Sequence, residues 1–182
     1  MSVPPIATER LELVSMSVEF VDALLAGRRH DAEAAAGVVL PDGWPDDHDA
    51  RFLRFRLDQM RRDPSTQEWL VRAIALREPA PAMIGHAGFH GPPGVNAKKR
   101  RDAVELGYTV FEPHRRRGYA TESVRGLMRW AREQHGVRHF VASVAPDNEP
   151  SLGIVRKLGF AETGSHWDEE DGKELEFELT LD

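Results

Sequence analysis

The stretch Arg115-Arg116-Arg117-Gly118-Tyr119-Ala120 carries the plainest chemical signal in this sequence. It follows an apolar run and opens a strong helical pattern. The start of a helix leaves backbone N–H groups unpaired and carries partial positive charge, so a pyrophosphate or another anion fits there. Gly118 and Ala120 are small enough for the backbone to approach phosphate oxygens closely, and an arginine can reach a further phosphate. The same residues also suit a tight turn with solvated arginines. A second stretch, Asn148-Glu149-Pro150-Ser151, leads to Lys157-Leu158-Gly159-Phe160. Pro150 suits the first turn of a helix. Taken singly, Asn148 reads as a cap and Ser151 as a surface hydroxyl, Gly159 as a helix stop and Phe160 as a core anchor. His86 and His90 share one face of a strand, with Gly88 between them, and suit either a pocket lining or proton transfer. No third ligand stands near them to make a metal site. His135 and His139 have i, i+4 spacing, but Gly136 breaks the helix between them.

These residues need elements to hold them. Arg10–Val14 alternates and predicts a first strand. Ser17 predicts the cap of a helix over 18–28, with Val21, Leu24 and Leu25 on one face. Residues 29–45 are rich in Ala, Gly and Pro and read as mostly irregular, with room for one helical turn at Asp31–Ala36. Trp44 in this segment is a core anchor or the wall of a binding site. A helix over 47–62 presents Leu53, Leu57 and Met60 on one face and stops at Asp63-Pro64. The period then changes: Trp69–Leu76 and Met83–Phe89 read as a hairpin. A Gly/Pro/Lys/Arg loop spans 91–102, and Ala103–Phe111 is a strand. The helix Thr121–His135 places Val124, Leu127, Met128 and Ala131 inside and ends at Gly136. His139–Val144 is a strand and Pro150–Leu158 a short helix. Phe160–Trp167 and Leu175–Leu181 form a final antiparallel pair around Asp171-Gly172. The pattern is that of a mixed α/β domain with a strand–loop–helix–strand unit at its centre.

The order and spacing of Val104–Phe111, Arg115-x-x-Gly118-x-Ala120, the helix to His135, the strand to Val144, and Asn148-x-x-Ser151 ending in Lys157-Leu158-Gly159-Phe160 resemble the core of the GNAT superfamily of N-acetyltransferases. The match is close over about 103–162. Thr8-Glu9-Arg10-Leu11 and Gly118-Tyr119-Ala120-Thr121-Glu122 resemble the branch containing the ribosomal-protein alanine N-acetyltransferases. The resemblance implies a mixed, mostly antiparallel central sheet with a splayed strand pair and helices on both faces. It implies transfer of an acetyl group from acetyl-CoA to a primary amine, a protein N-terminus or a small molecule. The amides of Arg115, Arg116, Arg117, Gly118, Tyr119 and Ala120 would hold the coenzyme A pyrophosphate. The pantetheine would pair with backbone near Val110 and Phe111, Asn148 would bond to it, and Ser151 would sit near the thioester sulfur. A lysine or arginine near the loop would meet the 3′-phosphate. Glu105 is the first candidate for the base that deprotonates the amine, a role worth roughly 10²–10⁴-fold; it also suits a solvent-facing charge. His86 or His90 is the competing base. Val155 stands where many relatives carry a tyrosine acid, so Ser151, water or unassisted thiolate departure takes that role. Coenzyme A binding without turnover, as a sensor or scaffold, is the alternative function.

Composition sets the limits. The chain has 182 residues, which predicts one domain able to bury its own core. With no cysteine there is no disulfide, zinc-thiolate site or thiol nucleophile, so acyl transfer would pass directly between bound substrates. The net charge of −6 argues against nucleic-acid binding. Lys98-Lys99-Arg100-Arg101 is a basic cluster, read first as a solvated face, while Asp168–Asp182 holds eight acidic residues and one lysine. No apolar run reaches the roughly 18 residues of a membrane span, and Met1-Ser2-Val3-Pro4-Pro5 has no signal core. The expectation is a cytoplasmic monomer or homodimer.

Overall fold

A computed structural model describes residues 3–169 and 172–182. Asp171, the first residue of the expected final turn, lies outside them, as do Met1 and Ser2. Among the described residues there are eight strands and five α-helices, and the fold is mixed α/β, mostly antiparallel. No helix is long and apolar enough to cross a membrane. The chain forms two compact units: Met1–Gly88 with Tyr108–Ser123, and Phe89–Gly107 with Val124–Asp182.

In the first unit, β1 (Ile6–Ala7) pairs antiparallel with β2 (Leu11–Ser15), β2 with β3 (Arg72–Leu76), and β3 with β4 (Met83–Phe89). The two-residue β1 is too short for a periodic signal and was not expected. Strand β5 (Ala103–Val110) reaches this unit at its C-terminal end, where the Phe111 N–H donates to the Ile84 carbonyl at 2.9 Å. The approach needs a glycine: a Cβ on Gly85 would lie 2.1 Å from the Thr109 carbonyl oxygen. Helix α1 (Val18–Leu25) is capped by Ser17, whose hydroxyl accepts from the Phe20 N–H. Helix α2 (Arg29–Ala36) extends the single helical turn expected at Asp31–Ala36 in the otherwise irregular segment. Ala-rich composition favours helix, and Gly37, at φ 66°, closes it. Helix α3 (Asp47–Arg62) begins on an Asp46 cap and buries Leu53, Leu57 and Met60, the expected face. These residues join Phe20, Leu70 and Met16 in the core.

In the second unit, β5 pairs parallel with β6 (His139–Val144), β6 pairs antiparallel with β8 (Gly172–Thr180), and β8 with β7 (Ala161–Asp168). Helix α4 (Tyr119–His135) starts in the first unit and continues here. It buries Val124, Leu127, Met128 and Ala131 as the 3.6-residue period requires. Each fully buried leucine contributes about 1.5–3 kcal/mol. Helix α5 (Glu149–Lys157) follows β6. The expected basic cluster at 98–101 is not simply solvated. Lys98 pairs with Glu176 at 2.5 Å, and Arg100 with Glu178 and Asp102, both at 3.2 Å.

Candidate functional site

In the first unit, the loop leaving β5 is shaped by its own side chains. Glu112–His114 form a single 3-10 turn. Arg115 then folds back, its Nε donating to the Val110 carbonyl at 2.9 Å. Arg116 and Gly118 have φ of 60° and 82°, a left-handed conformation natural for glycine and costly for arginine. The first backbone bond of α4 runs from the Glu122 N–H to the Gly118 carbonyl. The amides of its first turn therefore have no intrahelical acceptor and carry the positive end of the helix.

The N-terminal segment fastens this helix start. Thr8 Oγ1 donates to Glu122 Oε1 at 2.6 Å and the Arg10 N–H to the same oxygen at 2.8 Å. Arg10 Nε donates to Glu122 Oε2 at 2.7 Å, and its Nη1 to the Arg117 carbonyl at 3.0 Å. The guanidinium also lies 4.6 Å from the Tyr119 ring centroid. Burial pushes the Glu122 carboxyl up, but the Thr8 hydroxyl, the Arg10 N–H and the guanidinium outweigh it and hold it below its ordinary value. Sequence reading singled out both Thr8-Glu9-Arg10 and Glu122 but did not join them. Only a long-range pairing signal would have done so.

A second group in this unit centres on His86 of β4. Its Nε2 lies 3.4 Å from Asp49 Oδ1 on α3. Its ring stacks on Phe52 with centroids 5.5 Å apart and meets Phe111 edge-on at 6.4 Å. Trp44, 7% exposed, sits 6.1 Å from Phe111. Asp49 is held below its ordinary value, first by its contact with His86, with burial opposing. Asp49 and Phe52 were missed by sequence reading. Asp49 stands one turn before Leu53 on the buried side of α3, Phe52 packs beside the core there, and neither carries a motif.

In the second unit, Glu105 is 2% exposed. Its Oε1 accepts from the Ser143 hydroxyl at 2.6 Å, and its Oε2 accepts from the Ala97 N–H at 2.7 Å. His90 Nδ1 lies 3.5 Å from Oε2, and the His90 N–H donates to the Glu105 carbonyl at 2.9 Å. The solvent-facing reading of Glu105 is thereby corrected: burial with two donors on its oxygens and the His90 ring beside it makes it an internal carboxylate. The His90 side chain is 43% exposed and is the half of the pair that meets solvent. The parallel ladder of β5 and β6 covers Ala103–Glu105 opposite His139–Val141, while β6 continues to Val144 against β8. Asn148 caps α5, its Oδ1 accepting from the Ser151 N–H at 3.2 Å, which leaves its amide N–H₂ to donate elsewhere. Val155 is 2% exposed and packs into the core of this unit.

The family model described as an acetyltransferase (GNAT) domain matches residues 10–161. The chain belongs to the GNAT acetyltransferase family. Among GNAT relatives it is 25% identical over 156 residues to the uncharacterized N-acetyltransferase YjdG of Bacillus subtilis, covering 84% of this chain and 87% of that one. Two solved structures share the GNAT fold. One is RimL, a ribosomal L7/L12 alpha-N-protein acetyltransferase in complex with coenzyme A. It has a TM-score of 0.64 and 18% identity, with 98% of this chain and 99% of that one covered. The other is the microcin C7 self-immunity acetyltransferase MccE in complex with acetyl-CoA and AMP. It has a TM-score of 0.64 and 13% identity, with 99% of each chain covered.

Proposed function

We propose that this protein transfers an acetyl group from acetyl-CoA to a primary amine. The observation that carries the reading is the start of α4: a family loop, Arg115–Ala120, with left-handed Arg116 and Gly118 and free first-turn amides, tied down by Thr8, Arg10 and Glu122. Those amides bind the pyrophosphate. The Phe111 N–H is already taken by β4, so by strand alternation Val110 turns its N–H away from β4. That N–H is the donor available to an added strand of pantetheine or to the carbonyl oxygen of the thioester. A donor in that role stabilises the charge that develops on oxygen as the amine attacks. The Asn148 amide donates to the pantetheine arm, and Ser151 stands near the sulfur.

Glu105 stays in the proposal as one half of a pair with His90. The carboxylate orients the imidazole and stabilises its protonated form, and the imidazole takes the proton from the incoming ammonium, directly or through one water. With no cysteine in the chain, the amine attacks the bound thioester itself. The buried Val155, where many relatives have a tyrosine, favours a second reading, coenzyme A binding without turnover. Thiol release from acetyl-CoA against a panel of amines and N-terminal peptides separates the two. Turnover with at least one amine supports transfer, and tight coenzyme A binding with no turnover supports the sensor.

A further inference from the structure

The loop over 91–102 in the second unit has been given no role so far, yet it supplies one of the two donors on Glu105. That donor is the Ala97 N–H, 2.7 Å from Oε2. The residues on either side of Ala97 are both tied down. Asn96 is held within the loop. Its Nδ2 donates to the Arg100 carbonyl at 2.8 Å and to the Ala103 carbonyl at 2.9 Å, and its Oδ1 accepts from the Arg100 N–H at 3.0 Å. Lys98 is held from outside the loop, by β8. Its Nζ donates to Glu176 Oε2 at 2.5 Å and lies 3.7 Å from Glu178 Oε1. We propose that Lys98 is a positioning residue: its ion pair with Glu176 latches the loop to β8 and so keeps the Ala97 N–H on the Glu105 carboxylate. The purpose of the latch rests on the pairing of Glu105 with His90 proposed above; its physical basis does not.

Register explains why these groups meet. Glu176 stands opposite Ser143 across β6 and β8, and Glu178 opposite Val141. Residues directly opposite share a face, and so do alternate residues of one strand. Both glutamates therefore lie on the face that carries Ser143, the second donor to Glu105. Glu176 is 8% exposed, and a carboxylate so buried is costly without a cation. Strand β7 leaves room for the pair: a Cβ on Gly164 would lie 2.9 Å from Glu176 Oε2 and 3.5 Å from Lys98 Nζ. Arg100 repeats the contact on Glu178 at 3.2 Å. Between the two cations Lys99 takes φ 52°, a conformation that a lysine keeps only where its surroundings impose it. The Glu105 carboxylate depends on these ties because the last torsion of a glutamate is soft. Without the Ala97 N–H, its Oε2 is left facing the His90 ring 3.5 Å away, and the carboxylate is free to turn.

The test uses the full chain and two measurements. Amide hydrogen exchange by NMR reads the Ala97 N–H directly. Lys98→Met is expected to speed its exchange about tenfold, the factor carried by one ordinary hydrogen bond, while the amides of β6 keep their protection. Thiol release from acetyl-CoA is followed with an alanine-terminated peptide and 2-phenylethylamine as acceptors. Lys98→Met should lower kcat about tenfold by misplacing the carboxylate, with coenzyme A affinity unchanged, and Lys98→Arg should recover most of the loss. In a Glu105→Gln background, Lys98→Met should lower kcat little further, because both changes act through one group. A merely structural lysine would cost the same factor in both backgrounds, and that result overturns the proposal. Unchanged Ala97 exchange in Lys98→Met overturns it too. If Lys98→Met fails to fold, Gly164→Ala, which crowds the Glu176 carboxylate from β7, takes its place and must speed Ala97 exchange in the same way. Near-full kcat in Glu105→Gln overturns the pairing of Glu105 with His90 and leaves the latch to stand or fall by the Ala97 exchange. Absence of turnover with every amine of the panel does the same to the transfer reading.

Discussion

Arg10 and Glu122 lie 112 residues apart in the chain and meet through an Arg10 Nε to Glu122 Oε2 hydrogen bond of 2.7 Å. The contact ties the first edge of the chain to the first turn of α4. Its role is positional: it sets where the helix amides stand and which way the Arg117 carbonyl points. The ion pair is partly exposed, so its stability contribution is small, of order 1 kcal/mol or less. Its effect on ligand binding is expected to be larger. Arg10→Ala should weaken coenzyme A binding about tenfold by calorimetry while changing the melting temperature by only a few degrees. Unchanged affinity in that variant would remove the positional role.

Glu122 also predicts an acid limit. Its pKa in the folded protein is depressed below its unfolded value. The stability it contributes is present above the unfolded carboxylate range, about 4.3 for glutamate, and is lost as pH falls through the lower folded value. Thermal melts of the wild type and Glu122→Gln should therefore differ at neutral pH and converge in acid. Curves that stay parallel down to pH 3 would show that Glu122 is not linked to folding in this way.

Gly118 sits at φ 82°, and a Cβ there would come within 3.4 Å of Arg10 Nη2. Gly118→Asp adds backbone strain and places a negative charge beside the proposed pyrophosphate. Loss of two charge-assisted bonds at roughly 1.5–3 kcal/mol each predicts a fall in coenzyme A affinity of a hundredfold or more. Gly118→Ala, which carries the strain without the charge, should fall between wild type and Gly118→Asp. A folded Gly118→Asp that binds coenzyme A as the wild type does would place the pyrophosphate elsewhere.

Direct transfer fixes the form of the kinetics. Both substrates must be bound before the first product leaves, so initial-rate plots at several fixed amine concentrations should intersect. Parallel lines together with an acylated residue trapped by mass spectrometry would point to a covalent intermediate instead.

The pairing of Glu105 with His90 makes a sharper statement than a lone base. Glu105→Gln keeps its oxygen as acceptor for the Ala97 N–H and turns its amide N–H₂ to donate to the Ser143 hydroxyl, but removes the charge behind the imidazole. It should lower kcat roughly 10²-fold with coenzyme A affinity retained. His90→Gln should cost a similar factor, and the double variant little more than either alone, because residues acting as a unit are not additive. Near-full kcat in Glu105→Gln would take this pair out of the reaction.

Much of the architecture was legible because it rests on local physics. The period of Val124, Leu127, Met128 and Ala131 is that of α4, and all four are buried. Ser17 caps α1 as its type predicts, and the glycine at 118 has the left-handed conformation that a tight loop before a helix needs. The Arg115–Ala120 loop and the Asn148–Ser151 turn were legible for the same reason, since each is set by neighbours in sequence. Helix α2 was legible only as one turn at Asp31–Ala36, because the Gly- and Pro-rich residues that follow in 37–45 hide where a short helix begins and ends.

What tertiary structure decided was the partner of the charged groups that pair across the chain. Nothing local to Glu105 tells that β6 brings Ser143 to one oxygen and the 91–102 loop brings the Ala97 amide to the other, or that these bury a carboxylate the sequence left open to solvent. Nothing local to His86 reveals Asp49 and Phe52, because α3 and β4 are separate segments that meet only in the fold. The lysine and arginine at 98 and 100 read as a free basic patch until β8 supplied Glu176 and Glu178. Hydrophobic period is a property of one segment and can be read along the chain. Ion pairing and burial of polar groups depend on which segments meet, and only the fold sets that.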